Sequence, residues 1–578
     1  MATHNFFSSS SSSQSSSTFT FNHIPISSNS SAKAYDQGKA SSSSKIIDDN
    51  KQLASGFHGY GDDVDLFCVK YGLYQENDQL LGVERQFITS NSSNNIQEST
   101  KLQAAEKAWP PLSPATLRIL GNRPNSLAAA ASSGDGGRDH HQKLSAMQIV
   151  RLAGERFVQF SDHKFININI FKHPYSSTLS ELCSQDKQDV ELVQLLLAAA
   201  EKVSDHQFDR AIRLVSQCRN SASCTGTPVQ RAAFYFADAL QARIERQTGK
   251  PPPSSSSNDD DYGNGVKDGK CLASRYDMAY LIWHQTLPFS QVVQLSATQT
   301  ILDHVVTKPK VHLVDFYLRT GVQWSTLMQA LSERAAAADS GQRYFRFTAI
   351  ETTEKEKVEE TGKRLESFAT QFNLPFSINV LYIPDLKHFT AEQVEIKADE
   401  AVVIHASFIL RTMISKPVEL ESVMRAITRL KPSVMVVQEV EANLNSPSFV
   451  HRFIDALFYY SAYFDALEDT MRRDDQHRAS IESGSVLDGI RNIVAAEGRE
   501  RVTRSVSMQV WREFFGRFGV EETELSQTCW VHANMAVQQF ACKSSCSVSG
   551  NGKSLVVGWK GTPIYSFSAW KFRSRPAS

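Results

Sequence analysis

From residue 310 onward the chain repeats one rhythm: a short run rich in β-branched and aromatic residues, then a stretch with helical spacing. The runs fall at 311–316, 345–350, 378–383, 401–405 and 434–438. Strands separated by helices return through right-handed crossovers that cover both sheet faces, so the rhythm predicts a mostly parallel sheet. Two later runs, 555–559 and 564–567, flank Gly561-Thr562-Pro563 and predict an antiparallel hairpin on the sheet edge. The fold class is therefore α/β, with a Rossmann-like (methyltransferase-like) core over residues 307–573.

Before the sheet the periodicity is helical. Leu192, Leu195, Leu196, Ala199 and Val203, then Phe208, Ala211, Ile212 and Val215, recur at helical spacing, and 231–244 and 295–306 continue the pattern. Residues 189–306 thus predict an α-helical cap, with a disordered insertion near 249–269 marked by Pro251-Pro252-Pro253, a serine run and Asp259-Asp260-Asp261. An amphipathic helix over 143–160 opens a pre-domain segment that runs to 188. Residues 1–142 are serine- and asparagine-rich and predict a disordered region that buries too little apolar surface to offset ordering entropy. Within it, Asp62-Asp63-Val64-Asp65-Leu66-Phe67 alternates acidic and apolar residues, either as a partner-covered segment or as incidental hydrophobes. Residues 574–578 form a tail.

Composition narrows the function classes. Of 578 residues, 41% are hydrophobic and 21% charged, a globular balance, and the net charge of -1 excludes nucleic-acid binding through a chain-wide positive field. No apolar run reaches membrane-span length, and the first residues lack signal-peptide blocks, so an intracellular chain with no membrane partner is expected. The eight cysteines lack the short paired spacings of a zinc site or disulfide framework.

The loop after the first strand separates an enzyme from a binding module. A nucleotide-binding loop needs several glycines, and here only Gly321 is available. Leu318, Arg319, Gln323 and Trp324 are expected to crowd the cleft, leaving outer surfaces to act. Asp315 and Glu351 stand at strand ends where ligand-binding carboxylates often occur, but Asp315 also suits hydrogen bonding to a neighbouring loop. Glu439 and Glu441 share a face and read as an acid/base pair or, better, a structural network with an arginine. Gly552-Lys553-Ser554 lacks the remaining phosphate-loop glycine, and His532, Cys542 and Cys546 lack a fourth ligand at zinc spacing. No catalytic residue, cofactor or metal is expected.

Leu192-Val193-Gln194-Leu195-Leu196 matches the Leu-x-x-Leu-Leu docking pattern, although its leucines read better as core or a subunit interface, each contributing about 1.5–3 kcal/mol when buried. Trp511, Trp530, Trp559 and Trp570 read as core anchors. Arg499, Arg501, Arg504, Lys571, Arg573 and Arg575 form either a modest basic surface or ion pairs with Glu497, Glu500 and Glu513, and no DNA-recognition helix or zinc finger accompanies them.

Val311-His312-Leu313-Val314-Asp315-Phe316, followed by Gly321-Val322-Gln323-Trp324, closely resembles the signature of the plant GRAS family of transcriptional regulators. Pro375-Phe376, the block from Val437 through Glu439, Glu441 and Asn443 to Pro447, Arg501 and Arg504 with Trp511, and Trp559 with Trp570 resemble later family blocks in order. The chain departs from the usual family residues at Thr298, His405, Val440, Leu444 and Thr503, which bears on polar interior contacts. It lacks the acidic signature of the gibberellin-responsive DELLA branch, so degradation through that motif is not expected; residues 143–160 are similar to the pre-domain helix of arbuscular-symbiosis relatives.

The resemblance implies a nuclear regulator that works through protein contacts in developmental, hormone or root-symbiosis signalling. Expected partners are other GRAS proteins, as homo- or heterodimers, and DNA-binding transcription factors, with promoter DNA reached indirectly. It also implies an interface through Leu192, Leu195, Leu196, Ala199, Leu295, Ile301 and Leu302. No strong basic import signal is visible. The competing reading is an S-adenosylmethionine-dependent methyltransferase-like enzyme, or a small-molecule sensor using the same cleft.

Overall fold

The computed structural model describes residues 144–161, 182–249, 281–337 and 343–573. The serine-rich region with its 62–67 segment, all but the first residue of the 249–269 insertion, and the 574–578 tail lie outside the described residues.

Five strands run parallel: β1 (Lys310–Asp315), β2 (Tyr344–Glu351), β3 (Phe376–Tyr382), β4 (Ala401–Ser407) and β5 (Val434–Val440). Three of the remaining strands, β7 (Cys546–Asn551), β8 (Ser554–Trp559) and β9 (Thr562–Phe572), extend the sheet antiparallel, and the short β6 (Val520–Glu522) pairs with β9. The order is β3-β2-β1-β4-β5-β9-β8-β7. Because successive crossovers reverse direction between β1 and β4, the sheet has its switch point there, and a crevice opens at those strand ends.

Period-2 alternation sends neighbouring residues into different cores. Val311 and Leu313 of β1, Val403 of β4 and Val434 and Val436 of β5 enter one core, while Val314, Ile404, Met435 and Val437 enter the other. The predicted hairpin exists as β8–β9, with Lys560 and Gly561 both at positive φ in a two-residue turn that matches strand twist. It does not form the edge, however. β9 pairs directly with β5, and β7 is the outer strand.

The helices depart from the expected division at 306/307. α1 (Ala146–Ser161), α2 (Ser184–Ser204), α3 (Phe208–Ser221) and α4 (Pro228–Thr248) pack together, and α1 and α4 also pack on α9 (Phe449–Thr470), which lies far along the chain. The cap is therefore discontinuous and includes α1, which is no detached pre-domain element. Asp465 of α9 accepts hydrogen bonds from the Ala146 and Met147 amides, at 2.9 and 3.3 Å, satisfying donors that the first turn of α1 leaves open. Helix α2 starts at Ser184, ahead of the expected Asp189, because Cys183 Sγ caps Asp186 N.

Helix α5 (Pro288–Val305) is buried on nearly every side, between β5, β9 and α13 (Gln527–Gln538). It is a core helix, not part of the cap as expected. An amphipathic cap helix would keep a broad exposed polar face, whereas here Asp303 is the one exposed residue and Ser290, Ser296, Thr298, Gln299 and Thr300 are buried.

Arg231 on α4 is fully buried and ties the two parts of the cap together. Its guanidinium donates to Glu482 at 2.9 Å, Glu468 at 2.8 Å and the carbonyls of Phe464 and Gly226. Arg478 joins the same carboxylates, at 3.3 Å from Glu468 and 3.7 Å from Glu482. Burial raises the Glu482 pKa, against the pull of both arginines. Removing one partner leaves charge stranded. Arg231→Met should cost about 3–5 kcal/mol in urea denaturation, and the double variant with Glu482→Leu should recover much of that loss.

Candidate functional site

The chemistry-bearing residues meet at the switch point. Asp315 ends β1 directly opposite His405 of β4. Its Oδ1 accepts from His405 Nδ1 at 2.8 Å and from Tyr317 N at 3.1 Å, and its Oδ2 accepts from Trp324 Nε1 at 2.9 Å. All of Asp315, His405 and Trp324 are buried, and the imidazole meets the indole edge-on at 4.8 Å. The Asp315 contact fixes the proton on His405 Nδ1. Where the family pattern usually has asparagine, histidine therefore keeps the polar interior contact.

Gly321 allows the loop to turn back over this node. Its φ of +69° lies in the left-handed region, and a Cβ would sit 2.9 Å from Thr361 Cγ2. The next turn delivers Trp324 as helix α6 (Val322–Ala337) begins, while Gln323 stays half-buried. At the end of β2, Glu351 is buried and its Oε1 accepts from Thr352 N, Thr353 N, Thr353 Oγ1 and Glu354 N at 2.7–3.3 Å, bracing the start of helix α7 (Lys355–Gln371). Both strand-end carboxylates are thus engaged within the chain.

The crevice is not wholly closed, which corrects the expectation of a blocked cleft. Trp324 and Leu318 are buried in the core. At the strand ends lies a cavity of about 860 Å³, lined by Tyr317, Arg319, Thr353, Phe408 and Arg411 from strand-end loops and by Tyr459, Tyr460 and Tyr463 from α9. Sequence spacing missed it because α9 follows β5 and is brought over the strand ends only by cap packing.

The two later carboxylates do not pair with each other. Glu439 Oε1 accepts from Arg411 N at 3.3 Å, while Glu441 accepts from Met508 N at the start of helix α12 (Met508–Gly516). Burial pushes Glu439 up to about 7, with the Arg411 charge and backbone amides opposing. His312 is buried against Thr348 Oγ1 at 2.8 Å, and burial, with Arg346 nearby, lowers it to about 4.

The arginines expected to offer a basic surface include two that are buried. Arg501 and Arg504 converge on Asn445 Oδ1 at 3.2 and 3.1 Å, and donate further to the carbonyls of Leu444 and Gly498. Asn443 is half-buried in the same loop, so the residue that receives both guanidinium groups is two positions later than the one singled out. Arg573 pairs with Glu521, and Arg575 lies outside the described residues. Val311, Trp511, Trp559 and Trp570 are buried anchors. Cys542 is buried and Cys546 half-buried, with burial pushing the Cys546 thiol up to about 12, and among the described residues no group of three potential ligands gathers around a metal position.

The expected interface is largely internal. Leu192, Leu196, Ala199, Ile301 and Leu302 are buried within this one chain, because α2 closes on α1, α3 and α4 and α5 closes on the sheet. Leu195 and Leu295 are half-buried and pack against the core. Among the departures, Val440 and Leu444 join the apolar core, Thr298 is buried, and Thr503 bonds Asn492.

A profile described as the GRAS domain family matches residues 192–571. The chain is similar to DELLA protein GAI1 of Vitis vinifera, 29% identical over 404 residues covering 68% of this chain and 64% of that protein. It is similar to Scarecrow-like protein 11 of Arabidopsis thaliana, 30% identical over 393 residues covering 66% of this chain and 62% of that protein. These matches span less than two thirds of either relative. The crystal structure of SCL7 in Oryza sativa aligns with a TM-score of 0.57 and 25% identity, covering 66% of this chain and 99% of that one.

Two substitutions test these buried carboxylates. Asp315→Asn keeps one acceptor oxygen but faces a second donor toward its partners, so stability measured in urea should fall by about 1–3 kcal/mol for each donor left unmet. Glu439 has a folded pKa of about 7 against 4.5 for its ordinary value, so the folded state binds the extra proton and stability falls as pH rises through that window. Glu439→Gln should remove this loss: relative to the natural chain its stability should rise between pH 5 and 8 by on the order of 3 kcal/mol.

Proposed function

The chain belongs to the GRAS domain family, and from that premise we propose that it is a plant transcriptional regulator that works by assembling with other proteins and not by turning over a substrate. The observation carrying this reading is that Asp315 and Glu351, the carboxylates placed where a nucleoside cofactor would be held, are both spent on internal donors. A methyltransferase needs at least one of them free to orient its cofactor.

Assembly would proceed through the outer faces of the cap and core. Leu195 and Leu295 are the members of the expected interface that retain exposed surface. The partners in this reading are second GRAS chains and DNA-binding transcription factors, which would carry the complex to promoters in the nucleus, so that DNA contact is indirect. Arg501 and Arg504 support that indirectness, being committed to Asn445 rather than available to phosphates.

Two measurements test the reading. Fused to a heterologous DNA-binding domain in plant nuclei, the chain should change the output of a matching reporter, and an unchanged output overturns the regulatory role. Leu195→Asp should weaken self-association of the full chain about tenfold in sedimentation while preserving its circular dichroism; unaltered association would remove α2 from the interface.

A further inference from the structure

The 860 Å³ cavity above the switch point is within the roughly 300–1,000 Å³ that small-molecule sites occupy. One side is aromatic. Tyr459 and Tyr463 are linked through their hydroxyls, with oxygens 2.9 Å apart, and Trp283 stacks on Tyr463 at 4.8 Å. Rings that satisfy one another's polar groups present a largely apolar wall, here a tilted one, with Tyr459 and Tyr463 at 54° to each other.

The other side is mixed in charge: Lys357 pairs with Glu354 and Lys416 with Glu419 along it. Arg411 lines the cavity from the turn after β4 and is half-exposed; its guanidinium makes no hydrogen bond or ion pair with a described residue, although its charge acts on the buried Glu439 carboxyl. Its backbone is pinned: Arg411 N donates to Glu439, and Arg411 O accepts from Arg504 N at 3.0 Å. A partly buried cation on a fixed backbone, beside an apolar wall, is poised for a charge-assisted bond to an anion. The loops after β1 and β4 reach the cavity through Arg319 and Phe408, two non-glycine residues at φ of 50° and 54°, a conformation that surrounding packing must hold.

We propose that this cavity binds a small carboxylic acid with a ring-bearing apolar body, its carboxylate on Arg411 and its body against the tyrosine wall. Asp315 and Glu351, which a nucleoside cofactor would engage, are bonded within the chain and do not line this cavity. A sulfonium cofactor carries positive charge at its centre and is disfavoured beside Arg411. Ligand capture here is independent of how the chain assembles with partners, so either property can fail without the other.

The test uses the full chain with 1-pyrenebutyrate as probe, its neutral analogue 1-pyrenebutanol, and S-adenosylmethionine as competitor. Saturable one-to-one binding of the acid is expected by fluorescence, with the alcohol at least about tenfold weaker and S-adenosylmethionine failing to displace it. Arg411→Gln should bring the acid down to the affinity of the alcohol. Ser485→Trp, at an exposed position on the cavity lining, should block both probes while leaving circular dichroism unchanged, and decides the location if Arg411→Gln does not fold. Absence of saturable binding to the natural chain, equal affinity for acid and alcohol, displacement by S-adenosylmethionine, or binding retained by folded Ser485→Trp would each overturn the proposal.

Discussion

The Asp315 carboxylate organises this molecule. It sits at the one place where the parallel sheet reverses its winding, and its three donors come from the facing strand, the following loop and the next helix. A lone buried carboxylate there would be costly; surrounded by donors, it locks β1 to β4 and holds Trp324 in the core. The same bonds that stabilise the crevice take away the group with which a nucleotide-binding fold would hold its ligand. What remains open is the space at the strand ends, bounded by the cap.

That cap depends on buried charge in a second way. Arg231, Arg478, Glu468 and Glu482 join α4 to the end of α9 and the segment after it, while Asp465 receives the start of α1 from 319 residues away. Apolar packing alone tolerates many relative rotations of two helices. Directional bonds from a planar guanidinium admit few, so the network fixes where α9 places its tyrosines over the strand ends.

The central parallel strands were legible because burial on both faces makes them nearly continuous apolar runs, as in 401–407 and 434–440. The outer strand β7 was not, since Cys-Ser-Val-Ser-Gly-Asn is half solvent-facing and polar. Periodicity identified α2 and α5 as helices but is a local property, and could not say that α5 lies against the sheet or that α9 joins the cap. For the site, Asp315, Gly321 and Trp324 were readable from strand-end position and sequence, whereas Arg501 and Arg504 stayed open between a basic surface and ion pairs because arginine is usually exposed. Asn445, their shared acceptor, carries no signal in a single sequence. The cavity itself arises from elements separated by more than a hundred residues, which no motif encodes.

The position of β9 affects how the chain comes to be folded. This strand enters between β5 and β8 although it is the last of the nine to be synthesised. During translation, β5 must therefore wait with its hydrogen-bonding edge bare and its apolar faces formed, a template for pairing with other nascent chains. Completion of the barrier against such pairing falls to residues 562–572 alone, so the burden on cellular chaperones should peak just before they emerge from the ribosome.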